Sequence, residues 1–288
     1  MSAKIRTLRD ISLCLIEELS DIYPEQELKA FETIIIKTLS DMDKPFGLYD
    51  MNTVIPDFKS VRIIKIIDEL KTGKPIQYIL GETDFYNCKI KVSSATLIPR
   101  QETEELTDLI IKENTSYEGQ IMDICSGSGC IAISLAKNLP GSSVVGTDFS
   151  IDALKVAQIN AEINNVAVDF IHEDIFCPSK ILSFKPGIIV SNPPYVRNSE
   201  KAFMHRNVLD YEPAAALFID DSEPLVFYET ILVIAAEILL PGGKIYFEIN
   251  EAFGNEMSGL LEKFNYTNVK LIEDINGKNR VISGVKNG

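Results

Sequence analysis

The chain has 288 residues, enough for one large or two ordinary domains, and 45% of them are hydrophobic, so it can build a full core. Its formal net charge of −14 argues against a nucleic-acid-binding surface, because such surfaces are basic. The apolar runs are all too short for a membrane span. Five irregularly spaced cysteines indicate neither a zinc site nor a disulfide framework.

The first residues lead into a charged amphipathic segment rather than a signal peptide. The odd number of cysteines fits a reducing compartment. We therefore expect a cytoplasmic protein that holds no metal ion and contacts neither membranes nor nucleic acid directly.

Residues 1–75 have the pattern of a small helical bundle. Apolar side chains recur at helical spacing over 8–19, 28–39 and 61–70, and a loop at 44–47 separates the second helix from the third. No cluster of catalytic side chains occurs in this segment. Two interpretations stay open: a structural cap on the rest of the chain, or a docking module for a protein substrate.

A junction follows at residues 76–99. Two extended segments, 83–86 and 89–92, flank an Asn-Cys pair and predict a β-hairpin linker. Pro99 ends the extended piece. The acidic turn after it predicts a helix to about Lys112, because the positive end of a helix favours acidic side chains.

From Gln120 onward, strand and helix patterns alternate. The predicted strands are 120–124, 143–147, 168–172, 187–191, 244–249, 268–273 and 280–285, and the predicted helices are 129–138, 151–163, 222–239 and 252–264. This alternation predicts an α/β fold, with a parallel, doubly wound sheet covered by helices on both faces. The long connection at 196–221 is typical of a functional loop.

Acidic and glycine residues follow the first three strands of this sheet, where a nucleoside-containing ligand would lie. Glycines after the first strand let the backbone approach a ligand, and Asp148 ends the second strand, where an acid can hold ribose hydroxyls. Asp123 would repel a pyrophosphate but suits a cation such as S-adenosylmethionine. Asp174 can accept from an adenine amino group, and Ile175 can lie against the ring. The predicted cofactor-binding residues are Asp123, Cys125, Ser126, Gly127, Ser128, Gly129, Asp148, Asp174, Ile175 and Asn192.

The fourth strand ends in Asn192-Pro193-Pro194-Tyr195. Each proline fixes its own φ and lacks an N–H, so this turn is stiff and offers carbonyl groups without competing donors. The side-chain carbonyl of Asn192 and the backbone carbonyl of Pro193 can accept both hydrogens of a planar NH2 group, and the Tyr195 ring can cover its face. We predict that Asn192, Pro193 and Tyr195 are catalytic and that all four residues bind the substrate.

With these motifs, the chain resembles the HemK/PrmC-type protein-(glutamine) methyltransferases over nearly its whole length. The matching segments are GKPIQYILG at 73–81, LIPRQETE at 97–104, NPPY at 192–195, DYEPAAAL at 210–217 and PGG at 241–243. The resemblance implies a helical domain at 1–75, a hairpin linker at 76–99 and a Rossmann-like S-adenosylmethionine-dependent domain at 100–288. It also implies N5-methylation of the glutamine in the Gly-Gly-Gln motif of peptide chain release factors.

Three positions depart from the family pattern: Gln101 replaces a proline, Ile175 stands where an aromatic often covers adenine, and Asn250 replaces a glycine. Three other functions remain open. An adenine-amino nucleic-acid methyltransferase would use the same four residues, 192–195, as a clamp for the NH2 group of a flipped base. Such an enzyme would also need a basic groove. A glutamine methyltransferase of a ribosomal protein is barely separable by sequence. A nucleoside-sensing module without turnover would not need the intact clamp.

Overall fold

In the computed structural model, which describes residues 5–40 and 50–288, the chain divides into two units, 1–80 and 81–288. The predicted loop at 44–47 and the first four residues lie outside the described residues. Among the described helices, none is long and apolar enough to cross a membrane.

The first unit is helical, and its three predicted helices are confirmed. Its helices are α1 (Leu8–Leu19), α2 (Glu25–Ser40), α3 (Asp57–Leu70) and α4 (Ile76–Leu80). Helix α1 begins with a capping box, in which the Thr7 and Asp10 side chains bond to each other's backbone N–H. Apolar faces of these helices form a buried core of their own. Helix α4 was not predicted because it is short and directly follows a Gly-Lys-Pro segment.

The second unit begins with the predicted hairpin and continues into the alternating elements. Its strands are β1 (Glu82–Phe85), β2 (Cys88–Lys91), β3 (Gln120–Ile124), β4 (Ser143–Asp148), β5 (Val168–His172), β6 (Ile188–Ser191), β7 (Val196–Arg197), β8 (Phe218–Ile219), β9 (Lys244–Glu248), β10 (Tyr266–Glu273) and β11 (Asn279–Lys286). Its helices are α5 (Gln101–Glu113), α6 (Cys130–Asn138), α7 (Ile151–Asn164), α8 (Arg206–Tyr211), α9 (Val226–Ile238) and α10 (Gly254–Lys263). All seven predicted sheet strands are confirmed.

The central sheet has the order β10-β11-β9-β6-β3-β4-β5. Strands β9, β6, β3, β4 and β5 are parallel, as predicted, whereas β11 runs antiparallel to both of its neighbours. Strand β11 pairs antiparallel with β10 because only a short turn joins the two strands. A parallel pairing would need a crossover connection of a dozen residues or more.

The middle of the sheet is covered on both faces. All four residues of β6 and four of the five in β3 are buried, as expected for parallel strands between helical layers. Apolar side chains of α9 and α10 form a buried core with the sheet, and Ile231, Leu232 and Leu261 belong to it. This packing holds the parallel strands rigidly, so their carboxyl ends form a fixed platform for a site.

Candidate active site

The sequence-predicted site residues lie along one edge of the sheet, at or just beyond the carboxyl ends of adjacent parallel strands. The chain passes from β3 to β4 and β5, and then returns to the other side of β3 to form β6. The order of strands therefore reverses at β3, and ligands of open α/β sheets bind at such a point. The candidate clamp after β6 thus lies beside the glycine loop after β3.

The loop after β3 combines a sharp turn with open space. Cys125, Gly127 and Gly129 all have positive φ angles, of 64°, 55° and 77°. A Cβ on Gly127 would meet no atom within 4 Å, so the backbone there is open to a ligand. A Cβ on Gly129 would come within 2.8 Å of the Phe170 ring. Gly129 is therefore needed because a larger residue would clash with the sheet, whereas Gly127 leaves space for a ligand to approach the backbone.

The other predicted loop residues are largely buried. Ser126 donates its hydroxyl to the Asp123 carbonyl at 3.0 Å, and the carbonyl of buried Ser128 accepts from Asn160 at 2.9 Å. Burial, with the charges of Asp148 and Asp123, raises the pKa of the Cys125 thiol. Cys125 therefore stays a neutral thiol and contributes shape rather than a nucleophile.

Asp148 has the geometry of a ribose acceptor. Its Oδ2 accepts the Gly127 N–H and its Oδ1 accepts the Ser150 N–H, both at 2.8 Å. These bonds fix the carboxylate next to the glycine loop, and each oxygen keeps acceptor capacity for a hydroxyl group. Burial raises the pKa of Asp148.

Asp123 is fully buried beneath the loop. Neither of its carboxylate oxygens has a hydrogen-bond partner in the described part of the chain. Burial raises the pKa of Asp123 to about 7. An unpaired buried carboxyl is stabilised in its ionised form by a nearby positive charge. Together with the open loop and Asp148, Asp123 therefore fits S-adenosylmethionine, which carries a sulfonium, better than it fits a pyrophosphate.

The residues after β5 serve different purposes. Glu173 has a structural role, because its Oε2 accepts the backbone N–H groups of Ser179, Lys180 and Ile181. Asp174 is half-buried and one of its oxygens accepts the Phe176 N–H at 2.9 Å.

Ile175 lies buried in the sheet core, and the neighbouring Phe176 is exposed instead. The Phe176 ring packs edge-on against Phe227, with centroids 5.1 Å apart. The exposed apolar surface at this strand end thus belongs to Phe176, which the sequence analysis did not single out.

The segment after β6 presents two free acceptors. The Ser191 hydroxyl donates to the Ile124 carbonyl at 2.5 Å and joins the ends of β6 and β3. Pro193 and Pro194 are buried, whereas Asn192 and Tyr195 are half-buried. Within the described residues, nothing donates a hydrogen bond to Asn192 Oδ1 or to the Pro193 carbonyl.

A buried hydrogen-bond network supports this segment, and two of its members, Thr103 and Glu248, were not predicted as site residues. Asn192 Nδ2 donates to Thr103 Oγ1 at 3.2 Å, and the Thr103 hydroxyl donates to Glu248 Oε2 at 2.7 Å. The Tyr195 hydroxyl donates to Glu248 Oε1 at 2.9 Å. The network was partly visible: Thr103 belongs to the LIPRQETE segment, and Glu248 ends an apolar strand.

Two of the sequence signatures meet in an ion pair. Arg100 Nη2 donates to Glu212 Oε1 at 2.5 Å, and the Ile98 N–H donates to Glu212 Oε2 at 3.2 Å. The Glu212 carboxylate is buried, so Arg100 supplies its compensating charge. The LIPRQETE and DYEPAAAL segments are therefore one structural unit beside the site.

Asn250, one of the departures from the family pattern, has a local role. Its side-chain NH2 donates to the Tyr195 carbonyl at 3.3 Å and to Glu200 Oε2 at 3.0 Å, and its Oδ1 accepts the Ala252 N–H. The residue thus supports the backbone that follows the clamp. Gln101 is exposed at the start of α5.

Two solved structures share this architecture. A methyltransferase from Pyrococcus furiosus matches with a TM-score of 0.53 and 18% identity, over 81% of this chain and 100% of that chain. The hMettl16 catalytic domain, in complex with a MAT2A 3′UTR hairpin, matches with a TM-score of 0.56 and 15% identity, over 93% and 92%. At these identities the likeness shows the fold, and the protein has the Rossmann-like methyltransferase fold.

Sequence comparison identifies the family. The family model "Methyltransferase small domain" matches residues 98–212. Release factor glutamine methyltransferases from Flavobacterium psychrophilum and Bacteroides thetaiotaomicron are 44% and 43% identical, over 93% of this chain and 95% and 96% of theirs. That of Streptococcus pneumoniae is 38% identical over 92% of this chain and 94% of its own. The chain therefore belongs to the release factor glutamine methyltransferase family, which confirms the resemblance inferred from its motifs.

Proposed function

We propose that this protein methylates the side-chain amide nitrogen of the glutamine in the Gly-Gly-Gln motif of peptide chain release factors, with S-adenosylmethionine as methyl donor. Family membership supports the proposal. The observation that carries it is the pair of free acceptors, Asn192 Oδ1 and the Pro193 carbonyl, next to a glycine loop with two acidic side chains. A primary amide has two N–H hydrogens, and this pair can accept both.

The residues of this chain orient a weak nucleophile. An amide nitrogen is unreactive because its lone pair is delocalised into the carbonyl group. When bound, S-adenosylmethionine supplies a methyl group activated by its sulfonium. Asn192 and Pro193 accept the two amide hydrogens and fix the direction of the nitrogen lone pair, which is a proximity contribution. The Tyr195 ring covers the amide plane, and its hydroxyl is held by Glu248.

Both acceptors contribute most as the reaction proceeds. The amide nitrogen gains positive charge as it forms the new bond, so its hydrogens become better donors. The hydrogen bonds to Asn192 and Pro193 therefore strengthen in the transition state, which lowers the barrier. The methylated nitrogen is acidic and loses its proton to solvent, so the step requires no histidine base.

The two parts of the chain have separate roles in this proposal. Residues 1–75 dock the protein substrate, and residues 76–99 link this part to the rest of the chain. Residues 100–288 bind the cofactor and perform the methyl transfer. Exposed apolar side chains on the helical unit, Val54, Phe58 and Val61, support the docking role. The acidic chain and its proposed substrate favour a cytoplasmic protein that binds a release factor and no nucleic acid directly.

The test is methyl transfer to a purified release factor. We expect the mass of one methyl group on the Gly-Gly-Gln peptide, and none when that glutamine is replaced by alanine in the release factor. Parallel reactions with DNA, RNA and ribosomal proteins test the alternative substrates. Methylation of one of these, with no transfer to the release factor, would overturn the proposal.

A further inference from the structure

The orientation of the Asn192 side chain decides whether the clamp works. An asparagine amide has an acceptor end and a donor end of nearly the same shape, so two orientations fit the same space. Only one of them turns Oδ1 toward a substrate NH2 group. The other presents an NH2 group there, and donors facing donors would repel the substrate. Some feature of the protein must choose between the two.

The hydrogen-bond chain behind Asn192 makes this choice. Glu248 accepts from two hydroxyl groups, Thr103 at Oε2 and Tyr195 at Oε1. Burial raises the pKa of Glu248, while the hydrogen bonds from Thr103 and Tyr195 and the charge of Arg280 act in the opposite direction. Each carboxyl oxygen of Glu248 accepts one of these hydroxyl hydrogens, so the single hydroxyl hydrogen of Thr103 is directed to Glu248.

Since the Thr103 hydrogen is used, Thr103 Oγ1 can only accept from Asn192. The amide therefore turns its NH2 to Thr103, at 3.2 Å, and leaves Oδ1 free. The nearby Thr107 hydroxyl does not compete, because it donates to the Thr103 backbone carbonyl at 2.8 Å.

We propose that Thr103 is a positioning residue. It donates its hydroxyl hydrogen to buried Glu248, accepts a hydrogen from the Asn192 NH2 group, and so keeps the Asn192 carbonyl facing the substrate amide. Three separate elements supply the chain: Thr103 from α5, Glu248 from β9 and Asn192 after β6. The inference rests on the proposed function, since it assigns Thr103 a role in the clamp of that reaction. Thr103 is buried, so in this role it acts through Asn192.

A matched pair of variants isolates the hydroxyl group. Thr103→Ser keeps it, and Thr103→Ala differs from the serine variant by that one oxygen. We expect Thr103→Ala to lower kcat about tenfold, as the loss of one typical hydrogen bond would, with KM for the release factor and Kd for S-adenosylmethionine nearly unchanged. Thr103→Ser should restore kcat to within about threefold of wild type. Equal kcat in the two variants overturns the inference.

A double variant distinguishes positioning from a general structural role. If Thr103 acts through Asn192, adding Thr103→Ala to Asn192→Ala causes no further loss of kcat. A further tenfold loss means that the effects are independent and overturns the inference. If Thr103→Ala melts at a much lower temperature than wild type, Thr103→Val is used in its place, because valine fills the volume of the threonine side chain without a hydroxyl group. A wild-type protein that does not methylate release factor overturns the proposed function instead, whereas active wild type with unaffected Thr103 variants overturns only the positioning role.

Discussion

Asn192 uses the two ends of its amide differently, one bonded to Thr103 and one free. We expect Asn192→Ala to lower kcat by roughly 10²–10³-fold, because it removes a preorganised acceptor that strengthens in the transition state. The Kd for S-adenosylmethionine should change little, since Asp148 and the glycine loop remain. Mass-spectrometric turnover and calorimetric binding measure the two quantities.

Asn192→Asp is the control for shape. It keeps an acceptor but replaces the NH2 donor with a carboxylate near a cationic ligand. We expect low kcat with unchanged or tighter cofactor binding. Near-normal turnover in Asn192→Ala would mean that the amide is held elsewhere.

Asp123 predicts a pH dependence of cofactor binding. Its pKa of about 7 lies above the ordinary value because of burial, so the free protein holds a proton there at lower pH. A cationic ligand favours the ionised form, and binding below pH 7 must therefore release that proton. Affinity for S-adenosylmethionine should fall as pH decreases below 7, approaching roughly tenfold per pH unit.

Calorimetry in two buffers of different ionisation enthalpy measures this proton release. Asp123→Asn serves as the control, because it cannot titrate and should flatten the dependence below pH 7. The same slope in Asp123→Asn and wild type would show that another group is responsible.

At the scale of elements, α7 holds the β1–β2 hairpin and the glycine loop with a single side chain. Asn160 Nδ2 donates to the Lys91 carbonyl at 3.0 Å and to the Ser128 carbonyl at 2.9 Å, and its Oδ1 accepts the Lys91 N–H. One turn further along, Asn164 forms the same pair of bonds with the Lys89 backbone but none with the loop. The two asparagines are therefore a natural matched pair.

We expect Asn160→Ala to raise the Kd for S-adenosylmethionine several-fold, because the carbonyl of Ser128 loses its partner and the loop is less well ordered. Asn164→Ala should leave that Kd unchanged. Stability should fall more for Asn160→Ala, by about 1–3 kcal/mol, since it leaves buried backbone groups unpaired. Binding calorimetry and chemical denaturation report both effects. Equal Kd values in the two variants would show that the bond to Ser128 does not order the loop.

At the scale of the molecule, each of the two units has its own buried core. The docking proposal predicts that a chain of residues 81–288 binds S-adenosylmethionine normally but has a raised KM for release factor. Phe58→Ser in the full chain should raise the same KM several-fold, because the Phe58 side chain is 71% exposed and apolar. Val233→Ser, at an apolar position 61% exposed on α9, is the control and should have no effect.

Steady-state kinetics with varied release factor separates KM from kcat. Normal KM in both the truncated chain and Phe58→Ser would contradict docking by the helical unit and favour a purely structural role for it.

The sequence alone was sufficient for the local features of this protein. The strand and helix positions follow from apolar periodicity, and the hairpin from extended segments around Asn87. The family follows from short motifs whose residue types and spacing carry their chemistry. These features depend on neighbours in sequence, where the pattern is visible without a fold.

Only the tertiary structure placed the proposed clamp beside the glycine loop, because the return of the chain from β5 to β6 depends on packing between distant segments. The same reason applies to the network of Thr103, Glu248 and Asn192, whose members are far apart in sequence, and to the burial that raises the Asp123 pKa. The position of Ile175 after a strand was evident from the sequence. Its burial in the core was not, because that is decided by the helices that cover the sheet. Periodicity records which face of an element is apolar, whereas the partner of that face is set by long-range packing.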